Sequence, residues 1–178
     1  MKNIFIAVSA ATTLAVSVPV LADPYSEGTG YFGAGLSQLT FKPDGSSDDV
    51  SPSAVIGRLG YFVADQVAVE ARVGFGLSDD SIGDVDVELD RLFGVYGVGH
   101  LPIDEKWSIY GLIGYTDAEA TASAGGFSAT DSDSGFTLGL GAEFFITPEF
   151  GLNLEYTRYL DESGYELSSL ALGGKYNF

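Results

Sequence analysis

The amino-acid sequence predicts an all-β fold: an eight-stranded antiparallel up-and-down β-barrel that crosses a membrane, preceded by a cleavable signal peptide. Three observations lead to this prediction. Apolar and polar residues alternate up to the last residue, Phe178. Weakly alternating stretches of about 10 residues recur along the chain, which is the length of a tilted membrane-spanning strand. Short turns and longer loops separate these stretches in strict alternation.

The start of the chain is typical of a secretory signal peptide. The basic residue Lys2 precedes an apolar run, and Val20-Leu21-Ala22 resembles a small-residue cleavage site. A membrane-anchoring helix is the alternative, but Pro19 interrupts the apolar run. We therefore expect a signal peptide over residues 1–22 and one barrel domain over residues 23–178.

The composition excludes several classes of protein. The chain has 8 basic and 25 acidic residues, a net charge of −17, so it lacks the basic surface that nucleic acid requires. It has no cysteine, which excludes both a disulfide scaffold and a thiolate metal site. Its 24 glycines suit strands that pack closely in a narrow barrel.

Eight strands are predicted from the alternation, and an even number places both chain ends on one side of the barrel. Their ranges are 30–41, 53–62, 67–77, 85–100, 107–116, 135–146, 150–160 and 165–178.

The predicted connections are of two kinds. The short turns are 63–66, 101–106 and 147–149, and the longer segments rich in Asp, Ser and Gly are 42–52, 78–84, 117–134 and 161–164. Outer-membrane barrels have short periplasmic turns and longer external loops, so this sorting predicts that orientation.

The direction of each side chain follows from parity, because successive side chains in a strand point to opposite faces. In the predicted third, sixth and seventh strands, one parity is apolar and should face lipid. These outward residues are Val67, Val69, Ala71, Val73, Phe75, Leu77, Phe136, Leu138, Leu140, Ala142, Phe144, Phe150, Leu152, Leu154 and Tyr156. In the first, fourth and fifth strands parity leaves the facing open, with Tyr96, Tyr110 and Leu112 undecided.

Charged residues within the strands fall on the inward parity. A lipid-facing Arg or Lys near the membrane midplane costs about 2–4 kcal/mol, which supports the assignment. Eight strands leave room only for side chains, so we expect paired charges in a filled interior. A polar core that fixes strand register is the favoured interpretation, and a gated proton or ion path is the alternative. The predicted interior charge network is Arg58, Glu70, Arg72, Glu143, Glu155 and Lys175.

With these features together, the chain resembles the small outer-membrane β-barrel family, which includes the OmpX/Ail type and the barrel domain of OmpA. The ending Leu170-x-Leu172-x-x-x-Tyr176-x-Phe178 resembles the family's C-terminal assembly signal. Tyr31-Phe32-Gly33-Ala34-Gly35-Leu36 resembles its first strand, and Gly57-Arg58-Leu59-Gly60-Tyr61 its second. The resemblance implies a monomer in the bacterial outer membrane, in contact with membrane lipids, lipopolysaccharide and the barrel-assembly machinery.

Catalysis is not expected. Barrel enzymes that act on lipid A need a histidine near the outer rim, and the deacylase type pairs it with a nucleophilic serine. The only histidine, His100, precedes a short turn at the opposite end. We expect His100 to be a rim residue, and we expect no cofactor.

Two acidic segments are considered as candidate cation sites, and no metal site is predicted at either. Asp131-Ser132-Asp133-Ser134-Gly135 resembles the start of a calcium loop, but the later glutamate of that motif is missing. A second cluster could bridge divalent cations to lipopolysaccharide phosphates, although solvation and repulsion between barrels explain it more simply. Its members are Asp79, Asp80, Asp84, Asp86 and Glu88.

The outer loops are the candidate surface for an extracellular ligand. Lys42 is nearly their only base, with Arg91 and Arg158 close to the outer strand ends, so polyanions of the heparin type should be repelled. Phe127 is the candidate aromatic contact. The sequence therefore predicts a non-enzymatic outer-membrane protein that contributes to envelope structure, adhesion or stress adaptation. A narrow-pore, porin-like channel for small solutes is the main alternative. A soluble lipocalin-like barrel is disfavoured by Phe178 and by the outward apolar parity.

Overall fold

The computed structural model describes residues 23–43, 51–78, 80–82, 85–124, 127–162 and 165–178. The predicted signal peptide, residues 1–22, lies outside these ranges and stays a prediction. No helix in the described residues is long and apolar enough to cross a membrane.

The described residues form nine β-strands. Their bounds are β1 Gly30–Pro43, β2 Ser53–Ala64, β3 Val67–Ser78, β4 Asp80–Ile82, β5 Val85–Pro102, β6 Trp107–Ala124, β7 Phe127–Phe145, β8 Phe150–Glu162 and β9 Tyr165–Asn177. The short β4 pairs with β5 beyond the stretch that pairs with β3, so β3 and β4 occupy one position in the wall. The wall therefore has eight strand positions.

The sheet closes on itself. Neighbouring strands are antiparallel, in the order β3-β2-β1-β9-β8-β7-β6-β5-β4, and the β3–β5 pairing completes the cylinder. The first and last strands pair from Tyr31↔Asn177 to Pro43↔Tyr165. The prediction of an eight-stranded up-and-down barrel is confirmed.

The strands on the loop side are longer than the sequence indicated. Most of the segment 117–134, predicted as a loop, continues β6 and β7 as a paired ladder, from Asp117↔Ser134 to Ala124↔Phe127. These residues are polar and small because they lie beyond the apolar band of the barrel. There a strand is held by backbone hydrogen bonds and needs no apolar face.

The predicted facing of three strands is correct. In β3 the exposed and buried residues alternate from Val67, and β8 alternates in the same way from Phe150. In β7, Leu138 and Leu140 are exposed whereas Thr137 and Glu143 are buried. An exposed apolar belt around a closed cylinder is the outer surface that a lipid environment requires.

The turn between β5 and β6 is held by one carboxylate. Asp104 Oδ1 accepts hydrogen bonds from the backbone amides of Lys106 and Trp107, both at 2.8 Å. These two donors stabilise the ionised carboxylate and lower the pKa of Asp104.

Candidate functional site: the charged barrel interior

The six predicted interior charges all lie inside the barrel and are at most 7% exposed. They come from five strands of the wall: β2, β3, β7, β8 and β9. The structure brings them together in two groups, one near the middle of the barrel and one nearer the short turns.

The first group is built around the carboxylate of Glu155 on β8. Arg72 donates from both terminal nitrogens, Nη1 to Oε1 and Nη2 to Oε2, the latter at 2.9 Å. Arg58 Nη1 lies 3.4 Å from Oε2. Tyr110 and Thr157 donate their hydroxyl hydrogens to the same carboxylate, each at 2.8 Å. The fork of a guanidinium matches both oxygens of a carboxylate, which makes this a strong and directional pair.

The remaining nitrogen of Arg72 links this group to Glu70 on the same strand, β3. Arg72 Nε donates to Glu70 Oε1 at 2.5 Å, and Tyr31 donates its hydroxyl hydrogen to Glu70 Oε2 at 2.7 Å. The Arg72 guanidinium also lies 4.9 Å from the centre of the Tyr96 ring. Side chains from β1, β3, β5 and β8 are thus joined through one arginine.

The second group pairs Lys175 with Glu143. Lys175 Nζ lies 2.9 Å from Glu143 Oε2 and 4.7 Å from the centre of the Tyr31 ring. Tyr25, from the segment before β1, donates its hydroxyl hydrogen to Glu143 Oε2 at 3.4 Å. Burial and the neighbouring Glu143 carboxylate raise the pKa of Tyr25, so its phenol stays neutral.

The two groups contain three cations and three anions, so the formal charge of the interior network is balanced. Buried charge is tolerated only when it is paired and hydrogen-bonded. Each charged group of the network has an oppositely charged partner within 3.4 Å. Within the described residues, no cluster of His, Asp or Glu side chains is suited to hold a metal ion.

Two packed apolar clusters share the barrel interior with the charge network. The loop-side cluster, named here the upper cluster, contains Leu39, Ala54, Leu89, Leu92, Ala118 and Tyr159. The turn-side cluster, named the lower cluster, contains Tyr25, Tyr31, Phe62, Ala68, Tyr96, Val98, Tyr110, Leu112 and Phe145. The two groups of charges pack against these clusters, and Lys175 lies among four rings of the lower cluster, at 4.7 to 5.9 Å from their centres.

The residues whose facing was open all point inward. Tyr96, Tyr110 and Leu112 are buried in the lower cluster. Inward glycines on adjacent strands make room for the rings: a methyl group at Gly60 would overlap the Tyr31 ring, and one at Gly141 the Tyr110 ring. Sequence reasoning missed these tyrosines as members of the network. The available signal was a glycine on the inward parity of the neighbouring strand.

His100 is at the short-turn end, as predicted, but it is not an exposed rim residue. It is buried against the rings of Tyr25, Phe62 and Tyr110, at centroid distances of 4.8, 5.4 and 5.2 Å. The reason is that the segment 23–29, which was not predicted to pack, covers this end of the barrel. Its backbone is fixed by hydrogen bonds such as Gln66 N to Tyr25 O at 2.8 Å.

The segment considered as the start of a calcium loop is not a loop. Residues 131–135 are extended in β7 and pair with β6, from Ala120↔Asp131 to Thr116↔Gly135. A strand that is extended and paired in this way does not have the curled backbone with which a calcium loop surrounds its cation. Of the second acidic cluster, Asp79 and Asp84 lie outside the described residues.

The C-terminal residues Leu170, Leu172, Tyr176 and Phe178 are exposed on the outer face. The Phe178 backbone exchanges two hydrogen bonds with Gly30, at 2.8 and 3.0 Å. Its ring lies 6.1 Å from that of Phe32. The end of the chain thus completes the seam between β1 and β9.

A family model for the outer membrane protein beta-barrel domain matches residues 8–178. The chain belongs to this family. As an outer membrane protein beta-barrel domain, the chain has its place in the bacterial outer membrane, and both the resemblance and the localisation predicted from the sequence are confirmed. A comparison with curated protein sequences finds no match.

Several solved structures are similar to this outer membrane protein beta-barrel domain. Ail, the attachment invasion locus protein of Yersinia pestis, is 22% identical with a TM-score of 0.64, covering 85% of this chain and 99% of that chain. Neisserial surface protein A is 14% identical with a TM-score of 0.71, covering 85% and 100%. The N-terminal barrel domain of OprF from Pseudomonas aeruginosa is 16% identical with a TM-score of 0.59, covering 85% and 98%. At these identities the likeness shows the fold alone.

Proposed function

We propose that this protein is a non-enzymatic, monomeric outer-membrane barrel that contributes to envelope structure and presents its loop-side strands as a contact surface in adhesion or stress adaptation. The observation that carries the proposal is the filled interior. A balanced charge network, joined by direct hydrogen bonds, packs together with two apolar clusters. Such an interior favours rigidity over transport.

The channel alternative is disfavoured for the same reason. Solute passage would require the Arg72–Glu155 pair to separate and both apolar clusters to open, and breaking a buried ion pair costs about 3–5 kcal/mol. Planar-bilayer recordings of the purified protein test this. We expect insertion without current steps, whereas reproducible unitary conductance would favour the channel.

The proposed absence of enzymatic activity is supported by the surroundings of His100. Within the described residues, neither ring nitrogen of His100 has a hydrogen-bond partner, whereas a nucleophile–base pair requires one. Tyr25 also covers this histidine. An assay of deacylation and acyl transfer on lipid A tests the proposal, and turnover that is lost in His100→Ala would overturn it.

A contact surface is offered by β5, β6 and β7, which extend past the apolar belt on the loop side. In the described part of the chain, the paired ladder of β6 and β7 continues as far as Ala124↔Phe127. The acidic side chains on this hairpin, among them Asp117 and Glu119, favour a basic or cation-bridged partner over a polyanion.

The comparison with Ail makes this charge argument testable. One Ail structure is a complex with the heparin analogue sucrose octasulfate. In the present protein the exposed base Arg91 already pairs with Glu119 at 3.0 Å. We therefore expect no measurable binding of sucrose octasulfate by calorimetry at low salt. Salt-sensitive binding would overturn the charge argument.

Lipopolysaccharide and the barrel-assembly machinery are the proposed membrane partners. The exposed apolar belt supports contact with lipid, and the outward C-terminal aromatics are accessible for recognition during assembly. The direct test of the envelope role is deletion of the gene in a bacterium that carries it. We expect increased sensitivity to detergent that is restored by the complete protein. Unchanged sensitivity and unchanged surface attachment together would contradict the proposal.

A further inference from the structure

A small cavity lies inside the barrel between the two groups of ion pairs. Its volume is about 10 Å³, and its lining includes Arg58, His100, Glu143 and Asn153. A cavity of roughly 10–15 Å³ is the smallest that can hold one water molecule. The space therefore fits one water and excludes a larger ligand.

The walls of this cavity carry an unusual set of unpaired polar atoms. In the part of the chain that the structure describes, five buried atoms of these four residues lack a hydrogen-bond partner. Buried polar atoms are nearly always hydrogen-bonded to protein or to ordered water, so this set indicates an ordered water that bonds to one atom of each of the four residues. They are Arg58 Nε, His100 Nδ1, His100 Nε2, Glu143 Oε1 and Asn153 Oδ1.

The donor and acceptor types of these atoms match a water molecule. Arg58 Nε can only donate and Asn153 Oδ1 can only accept, while a neutral imidazole such as that of His100 offers one donor and one acceptor. An anion would satisfy the donors alone, and a cation the acceptors alone. Water both donates and accepts.

One distance points to the same ligand. His100 Nδ1 lies 3.8 Å from Glu143 Oε2, too far for a direct hydrogen bond, so the imidazole and the carboxylate are neighbours that a water bonded to Oε1 can join. We propose that a single buried water binds in this cavity to Arg58, His100, Glu143 and Asn153, and that Tyr25 closes it off from solvent.

The closing role of Tyr25 follows from its position. The Tyr25 ring packs edge-on against Phe62 and Phe145, at centroid distances of 5.9 and 5.6 Å, and covers His100 from the short-turn side. The segment that carries it is held to the β2–β3 hairpin by backbone hydrogen bonds, including Gly28 N to Phe62 O at 2.9 Å. Water should exchange with this site only when the Tyr25 ring leaves its place.

Water–protein cross-relaxation NMR of the complete barrel in micelles tests the proposal. In the wild type we expect cross peaks from a long-lived water to carbon-bound protons of Asn153 and His100. Tyr25→Phe, which keeps the ring, should retain them, and Tyr25→Ala should lose them through rapid exchange. His100→Phe should lose the Asn153 cross peak while Tyr25 stays packed.

Each result decides one part of the proposal. A folded wild-type barrel without cross peaks would refute the bound water. Cross peaks of equal strength in Tyr25→Ala and the wild type would refute the closing role of Tyr25. If His100→Phe fails to show the heat-modifiable gel migration of a folded barrel, the wild-type spectrum and the two Tyr25 variants still decide both parts.

Discussion

Arg72 and Glu155 form a bidentate ion pair across the interior of the barrel, from β3 to β8, two strands that are not neighbours in the wall. They are separated by 83 residues along the chain. The pair therefore ties opposite sides of the cylinder together, and it can form only when every strand between them has the correct register. A one-residue slip of any of these strands would send inward side chains outward.

Loss of the Glu155 charge should destabilise the barrel strongly. Glu155→Gln keeps the size of the side chain but leaves Arg58 and Arg72 with one carboxylate between them, and such a change typically costs about 3–5 kcal/mol. Urea-induced unfolding in lipid vesicles measures the free energy of unfolding. The matched control is Glu119→Gln, which breaks the exposed pair with Arg91 and should cost less than about 1 kcal/mol. Equal losses of unfolding free energy in the two variants would mean that the buried network stabilises the barrel no more than an exposed ion pair does.

An added charge on the outer face should prevent insertion. Leu154→Arg places a guanidinium among exposed apolar residues of β8, where it should cost about 2–4 kcal/mol. Ile103→Arg is the control, because Ile103 is similarly exposed but lies in the turn after β5. The yield of heat-modifiable barrel after refolding into vesicles is the measurement. Comparable yields for both variants would contradict the lipid-facing assignment.

The inward glycines should be required where tyrosine rings lie against them. Gly60→Ala places a methyl group in the space of the Tyr31 ring, and overpacking of this kind costs about 1–3 kcal/mol. Gly57→Ala, on the same strand, meets Val73 Cγ2 at an ordinary 3.6 Å and should be close to neutral. Unfolding midpoints of the two variants give the comparison. A Gly60→Ala barrel as stable as Gly57→Ala would show that the ring can move aside without cost.

Phe178 should be more important for assembly into the outer membrane of cells than for refolding in vitro. If Phe178 is part of an assembly signal, Phe178→Ala should reduce the amount of folded protein in the outer membrane while refolding into detergent stays near normal. Phe136→Ala, which removes another exposed aromatic, should leave both unchanged. Equal losses of Phe178→Ala in the two settings would indicate a role in stability and not in recognition.

The sequence was sufficient to predict the fold because apolar and polar side chains alternate with a period of two along strands that separate lipid from a packed interior. The alternation from Val67 in β3 and from Phe150 in β8 identifies the facing directly, and the inward parity then selects Arg72 and Glu155. Which charges meet was not predictable, because pairing across the interior depends on the tilt and stagger of the closed barrel. The same limit applies to Tyr110, whose contact with Glu155 needs the space above Gly141.

Two features escaped sequence reasoning for different reasons. The extension of β6 and β7 was predicted as a loop, since strands outside the apolar belt have no apolar parity to reveal them. The packing of Tyr25 against His100 was missed because the segment 23–29 has no regular period at all. Its position is decided by a few backbone hydrogen bonds and by the aromatic cavity that receives it.

The central claim is that side chains of one parity face lipid around a closed cylinder while those of the other parity face a packed interior. Single-cysteine scanning along residues 150–157 of β8 tests it most directly, because the natural chain has no cysteine and each introduced thiol is the only one. With the barrel in vesicles, a lipid-soluble maleimide should label positions 150, 152, 154 and 156 and spare 151, 153, 155 and 157. Uniform labelling, or the opposite alternation, would contradict the account.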